Sequence, residues 1–213
     1  MSFFRRTYPL LLILIASGIV ACGQTESSTD PVSTEEKTAS PALDFPPATR
    51  DSLDRTGWVV KEFGVKPITL AIPKPLVSMG NQVPESAKKY IVGNETFSGI
   101  HGDDFQMIVN IIEYVPTVSV DLKSVAGKAA EQMRSDVAVS HFELKETPIT
   151  VSGSQGIRQD AKMFRDGLIH YWCNTLVQKG QGVFQVTVIY PETYREGPGD
   201  AEAMMASIQI PQW

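Results

Sequence analysis

The stretch MFRDGLIHYW, residues 163–172, decides the fold. Asp-Gly is the dipeptide a two-residue hairpin turn demands, because its central residues take positive φ, and here it joins two runs of strand-forming residues. Such a turn fixes a register: Phe164 faces Ile169, Lys162 faces Tyr171, Ala161 faces Trp172 and Asp160 faces Cys173. A second turn at Gly180-Gln181 sets Val177 opposite Phe184 and Cys173 opposite Val188. With one more strand upstream, the pattern predicts an antiparallel meander over 142–151, 157–164, 168–178 and 183–190.

In this register one face collects Ile157, Met163, Trp172, Leu176 and Ile189. The other collects Phe164, Ile169, Cys173, Val177, Phe184, Val186 and Val188. A sheet apolar on both sides needs a layer on each. One layer is expected from DLKSVAGKAAEQMRSDVAV (121–139), where Leu122, Val125, Ala126, Ala129, Ala130, Met133 and Val137 recur at helical spacing. Ser119 or Asp121 is placed to cap its start. A closing helix over 200–207 offers Met204, Met205 and Ile208 to the other face. Upstream, 105–115 reads as a strand apolar on both faces, and 68–72, bounded by prolines, reads as an edge strand.

The first residues have a different logic. Arg5 and Arg6 precede an apolar run, Leu10 to Val20, that spans only about 16 Å against a hydrocarbon core of about 30 Å. It is too short to cross comfortably and follows the secretory pattern of positive, apolar and small-residue regions. The end of the run, Ile19-Val20-Ala21-Cys22, resembles the lipobox of bacterial lipoproteins. The resemblance implies cleavage after Ala21, diacylglyceryl transfer to the Cys22 sulfur and acylation, as by palmitate, of the new amino group. Two or three chains, at about 0.8 kcal/mol per buried methylene, hold a protein stably where one does not. Gly23, where enteric bacteria place aspartate for inner-membrane retention, implies the outer membrane.

Residues 1–21 are thus expected to be a signal peptide, 22–47 a lipidated cysteine and tether, and 48–213 a single globular domain. The tether is rich in Ser, Thr, Pro and acid and cannot bury enough surface to offset its ordering entropy. As a random coil it has a root-mean-square length of about 27 Å. The composition, 42% hydrophobic and 20% charged, suits a globular domain. Outside the leader 17 basic residues face 24 acidic ones, without a basic cluster, which argues against nucleic acid as a partner. If Cys22 carries lipid, Cys173 has no disulfide partner and is expected to be a small buried apolar residue.

The order of elements, from TLAIPKP (69–75) through the long strand, helix and meander to SIQI (207–210), resembles the PsbP-like and DcrB-like proteins. That resemblance implies an α+β fold, an α/β/α sandwich around a mostly antiparallel central sheet. It implies little about activity.

No phosphate loop, HExxH, CxxC pair or GxSxG is present. The runs GSQG (153–156) and GQG (180–182) fall between predicted strands and read as turns. His170 and Cys173, three apart on a strand, point to opposite faces and form no local dyad. The cluster His101-Gly102-Asp103-Asp104 offers an imidazole and two carboxylates to a metal, but an acidic solvated turn explains it better. His141 shares an outer strand face with Glu143, and His170 reads as a hydrogen-bonded structural histidine. Tyr190, Tyr194 and Trp213 read either as an aromatic contact surface or as core.

The sequence therefore leads to a non-enzymatic, membrane-anchored envelope lipoprotein without a cofactor, binding or steadying a protein partner. Two alternatives stand beside it: a carrier or sensor of a small apolar or lipid ligand, held between the sheet and the helix over 122–137, and a toxin-immunity-type lipoprotein.

Overall fold

Asp166 and Gly167 take φ of 51° and 84°, the doubly left-handed turn that the dipeptide demands, and the chain doubles back there. The structure is a computed structural model that describes residues 57–80, 83, 85–102 and 104–211. The leader, Cys22, the tether, Asp103 and Trp213 lie outside the described residues.

The elements run β1 (Val59–Phe63), β2 (Ile68–Ile72), β3 (Val77–Ser78), β4 (Ile91–His101), β5 (Phe105–Tyr114), α1 (Leu122–Arg134), β6 (Val139–Val151), β7 (Ser154–Arg165), β8 (Leu168–Lys179), β9 (Gly182–Pro191) and α2 (Gly197–Ala206). Seven strands form one antiparallel sheet in the order β3-β4-β5-β9-β8-β7-β6, and β1 pairs with β2 apart from it. Every register expected around the two turns is present: Phe164 with Ile169, Ala161 with Trp172, Asp160 with Cys173, and Val177 with Phe184. A β-branched residue at the Gly167 position would have to adopt its φ of 84°. Gly167→Val is therefore expected to cost about 1–3 kcal/mol in urea denaturation.

The two faces carry separate cores. On one, α1 sets Val125, Ala126, Ala129, Ala130 and Met133 against Ala161, Met163, Trp172 and Leu176. The small residues let the helix lie close to the sheet. Asp121 caps it, its carboxylate accepting from the Lys123 N–H at 3.1 Å. On the other face, α2 and the β1–β2 hairpin cover Phe105, Met107, Val109, Cys173, Phe184, Val186 and Val188. The expected strand at 68–72 is thus half of a hairpin, and the covering layer there is part helix and part sheet. The chain is α+β with a helix on each face.

Three expectations are corrected and one open alternative is decided. Val137 is fully exposed, because α1 stops at Arg134. The Asp136 carboxylate accepts from the Ala138 N–H at 3.0 Å and turns the chain out of the helix. Phe164, beside the β7–β8 turn at the sheet's end, is 42% exposed rather than core. Of the two readings open for Tyr190 the structure has the core one: it is buried with its ring 6.0 Å from Phe105 and 5.4 Å from Tyr171. Finally, the α1 face is not wholly apolar. Gln159, Asn174, Gln185 and Thr187 cross it as a buried polar ladder. Asn174 donates to Gln159 Oε1 at 2.8 Å and accepts from Gln185 at 3.1 Å and Thr187 at 2.8 Å. Gln159 ties the ladder to α1 through the Ala126 carbonyl at 2.9 Å.

The β6 edge is long, and its sequence blunts it. Pro148 removes a donor, and a bulge between Ser140 and Glu143, with His141 at φ 50°, twists the strand.

Candidate functional site

The register that pairs Arg158 with Thr175 and Asp160 with Cys173 sets a polar group onto the α2 face of the sheet. Arg158 and Asp160, two apart on β7, point the same way, and the Arg158 Nε donates to Asp160 Oδ1 at 2.7 Å. Both are largely buried, at 17% and 20% side-chain exposure. From α2 the Glu202 carboxylate approaches Arg158 Nη2 at 3.5 Å, longer than a good hydrogen bond. Burial disfavours the Arg158 charge, but Cys173, Asp160 and Glu202 outweigh that and raise its pKa. The Cys173 thiol is pushed up to about 12, chiefly by burial, so it is no nucleophile near neutral pH.

Arg158 and Glu202, without Asp160 or Cys173, border an open groove of about 360 Å³ between β6, β7, β8 and α2. Its apolar wall is Ile149, Val151, Met205, Ala206 and Ile208, and its polar groups include Arg158, Thr175 and Glu202. Thr175 is 2% exposed, and its hydroxyl has no hydrogen-bond partner among the described residues. Thr150, Ser152, Arg158, Thr175 and Glu202 make up half of its lining, so the groove is mixed and open rather than an enclosed apolar pocket. The ligand gap expected from the sequence lies on the α1 face. There the small residues of α1 sit directly on Trp172 and Leu176, and the groove lies on the opposite face.

The other sequence candidates are dispersed. His101 ends β4 and pairs with Phe105, so His101 and Asp104 flank the β4–β5 hairpin turn. No group of three metal-ligating side chains occurs among the described residues. His141 is exposed, and Cys173 is buried in the α2-face core. Tyr194 is half-buried and donates to Asp200 Oδ2 at 2.9 Å.

His170 is half-buried, with Nδ1 3.3 Å from the Leu168 carbonyl. Burial lowers its pKa, the Leu168 carbonyl opposes this, Arg165 adds to it, and Asp166 and Asp104 oppose it more weakly. A histidine with a folded pKa below its unfolded value leaves stability intact above the unfolded pKa, near 6.5, and erodes it as pH falls below that. The urea midpoint should therefore drop between about pH 7 and pH 5, and His170→Gln should flatten that slope. Equal slopes in the two proteins would show that His170 does not contribute.

No known protein family matches the chain, and no curated protein matches it. Among solved structures, PA94, a Pseudomonas aeruginosa protein of unknown function, aligns at a TM-score of 0.43 and 12% identity, over 72% of this chain and 98% of its own. LpqN of Mycobacterium tuberculosis, involved in cell envelope biogenesis, aligns at 0.45 and 13% identity, over 73% of this chain and 92% of its own. Neither alignment transfers a residue role. Among the described residues, no helix is long and apolar enough to cross a membrane.

Proposed function

We propose that this chain is a lipid-anchored lipoprotein of the bacterial envelope, held at the membrane through Cys22, whose PsbP-like or DcrB-like domain is a non-catalytic binding module. The observation that carries this reading is the sequence Ile19-Val20-Ala21-Cys22 at the end of a short apolar run, followed by the acidic tether. The dispersal of His101, His141, His170 and Cys173 supports a module that binds rather than reacts. A protein partner is the leading occupant, and the β3–β4 side of the sheet exposes Val77, Val92 and Ile100. Photo-crosslinkers placed singly at these three positions in the native membrane should trap one reproducible protein band. The same crosslinker at Lys128, on α1 over the opposite end of the sheet order, should not. Indistinguishable patterns from the two sets would overturn the partner reading.

The second reading, a carrier or sensor of a small amphiphile, is favoured by the 360 Å³ groove beside α2. The outer membrane is the proposed location, from Gly23.

A further inference from the structure

We propose that Leu43 and Phe45, near the end of the tether, dock against β3 as a short added strand and cover the β3–β4 surface until a partner displaces them. The covering role rests on the partner reading of that surface and gives it a built-in competitor.

The tether supplies one half. From Gln24 to Pro47 its only apolar side chains larger than valine are Leu43 and Phe45, in the run Leu43-Asp44-Phe45. A spacing of two is the strand period, so in an extended chain both point to one face and Asp44 to the other. Pro46 and Pro47 have no N–H to carry the pairing further. Ser, Thr and acid alone suffice for a spacer, which leaves the leucine and the phenylalanine to be explained by something they touch.

β3 supplies the other half. It is a two-residue edge strand, paired with β4 on one side only. The register sets Val77 opposite Ser98 and Ser98 opposite Ile108, so these share a face with Ile100, two residues along β4. Val77 is 67% exposed, Ile100 is 41% exposed and Ile108 is partly exposed. They lie on the α1 face, but α1 packs chiefly on β6, β7 and β8, at the other end of the strand order.

Reach favours this edge. Val59 pairs with Ile72, five residues before Val77, so Gly57 lies within about 30 Å of β3. The 12 residues from Pro46 to Gly57 extend to about 40 Å. The opposite edge, β6, is six strand spacings, about 29 Å, beyond β3. β1 is also near, but its faces alternate Val59 with Lys61 and Val60 with Glu62, so either would set a tether side chain beside a charge. A linker this short holds the segment at a local concentration in the millimolar range, so a weak contact suffices and a partner still displaces it.

The test uses the full lipidated chain in its native membrane, with a benzophenone amino acid in place of Phe45. Irradiation should link position 45, within the same chain, to the peptides that carry Val77 and Ile100. Val77→Asp, at an exposed position, should lower that yield by about fivefold or more while circular dichroism stays unchanged. Leu43→Ser with Phe45→Ser leaves the folded domain untouched and should raise the partner trapped by a crosslinker at Ile100 by a similar factor. Links to residues 59–63, links scattered over the domain, or none within the chain would overturn the docking and leave the partner reading standing. Equal partner yields with and without the two serines would overturn the covering role. If position 45 links to Val77 but Ile100 traps no partner in either chain, the docking stands and the partner reading falls, the covering role with it.

Discussion

Asn174→Leu should cost about 3–5 kcal/mol, as much as truncating a large core side chain, although leucine matches asparagine in branching and in number of non-hydrogen atoms. Asn174 is fully buried at the centre of the polar ladder and makes three hydrogen bonds of 2.8–3.1 Å there. Replacing it leaves Gln159 Oε1, a Gln185 N–H and the Thr187 hydroxyl short of partners under α1. Each buried orphan costs about 1–3 kcal/mol, partly offset by the added apolar contact. The companion variant is the sharper check. Adding Gln185→Met and Thr187→Val to Asn174→Leu removes two of the orphans and should restore more than half of the lost stability, because an apolar replacement on both sides is nearly neutral. Urea denaturation followed by tryptophan fluorescence reads both. A loss below about 1 kcal/mol for Asn174→Leu would mean that water reaches the ladder and the band is not sealed by the helix.

That ladder shows where sequence reading works and where it stops. The β7–β8 register was legible because Asp166-Gly167 has one backbone geometry suited to a hairpin, and the chain adopts it. Trp172 and Leu176 were then assigned to one face and Cys173 and Val177 to the other, as observed. Asn174 and Gln185 lie in the same strands, but a polar residue carries no sign of whether a partner awaits it, since the partners come from β7, β9 and α1. β4 escaped notice for a different reason. Gly93 and Gly99 interrupt its apolar alternation, and a bulge between Ile91 and Gly93 breaks the period of two. At Gly99 a Cβ would come within 2.8 Å of the Leu76 side-chain tip, so any larger residue there requires Leu76 to move. The groove was the least legible feature. Its lining runs from Ile149 to Ile208 across three strands and a helix, and no local spacing announces it.

Cys22→Ser should abolish lipid attachment altogether. Cells labelled with an alkyne analogue of palmitate should incorporate it into the native chain and into Cys173→Ser, but not into Cys22→Ser. The serine variant should also accumulate at the mass of the precursor, because the resemblance to the lipobox implies that cleavage after Ala21 follows sulfur modification. The contrast between the two cysteines follows from their settings. Cys173 is buried in the α2-face core and its thiol is pushed up to about 12, which withholds it from any acyl donor. Label retained in Cys22→Ser would remove the anchor from the proposed function and leave the domain without an address.

The strand order β3-β4-β5-β9-β8-β7-β6 also prescribes how the chain must assemble. Four consecutive strands, β6 to β9, form one meander by nearest-neighbour turns, and β3 to β5 form a second. Each can nucleate from local contacts, at a low entropic cost of closure. The two halves of the sheet join only along β5 and β9, where Ile112 must find Val183 and Met107 must find Val188 across the whole of α1 and strands β6 to β8. That seam is the slow, sequence-distant event in folding. Until it closes, the edges of β5 and β9, the two most buried strands of the finished sheet, stand open to one another and to any neighbouring chain.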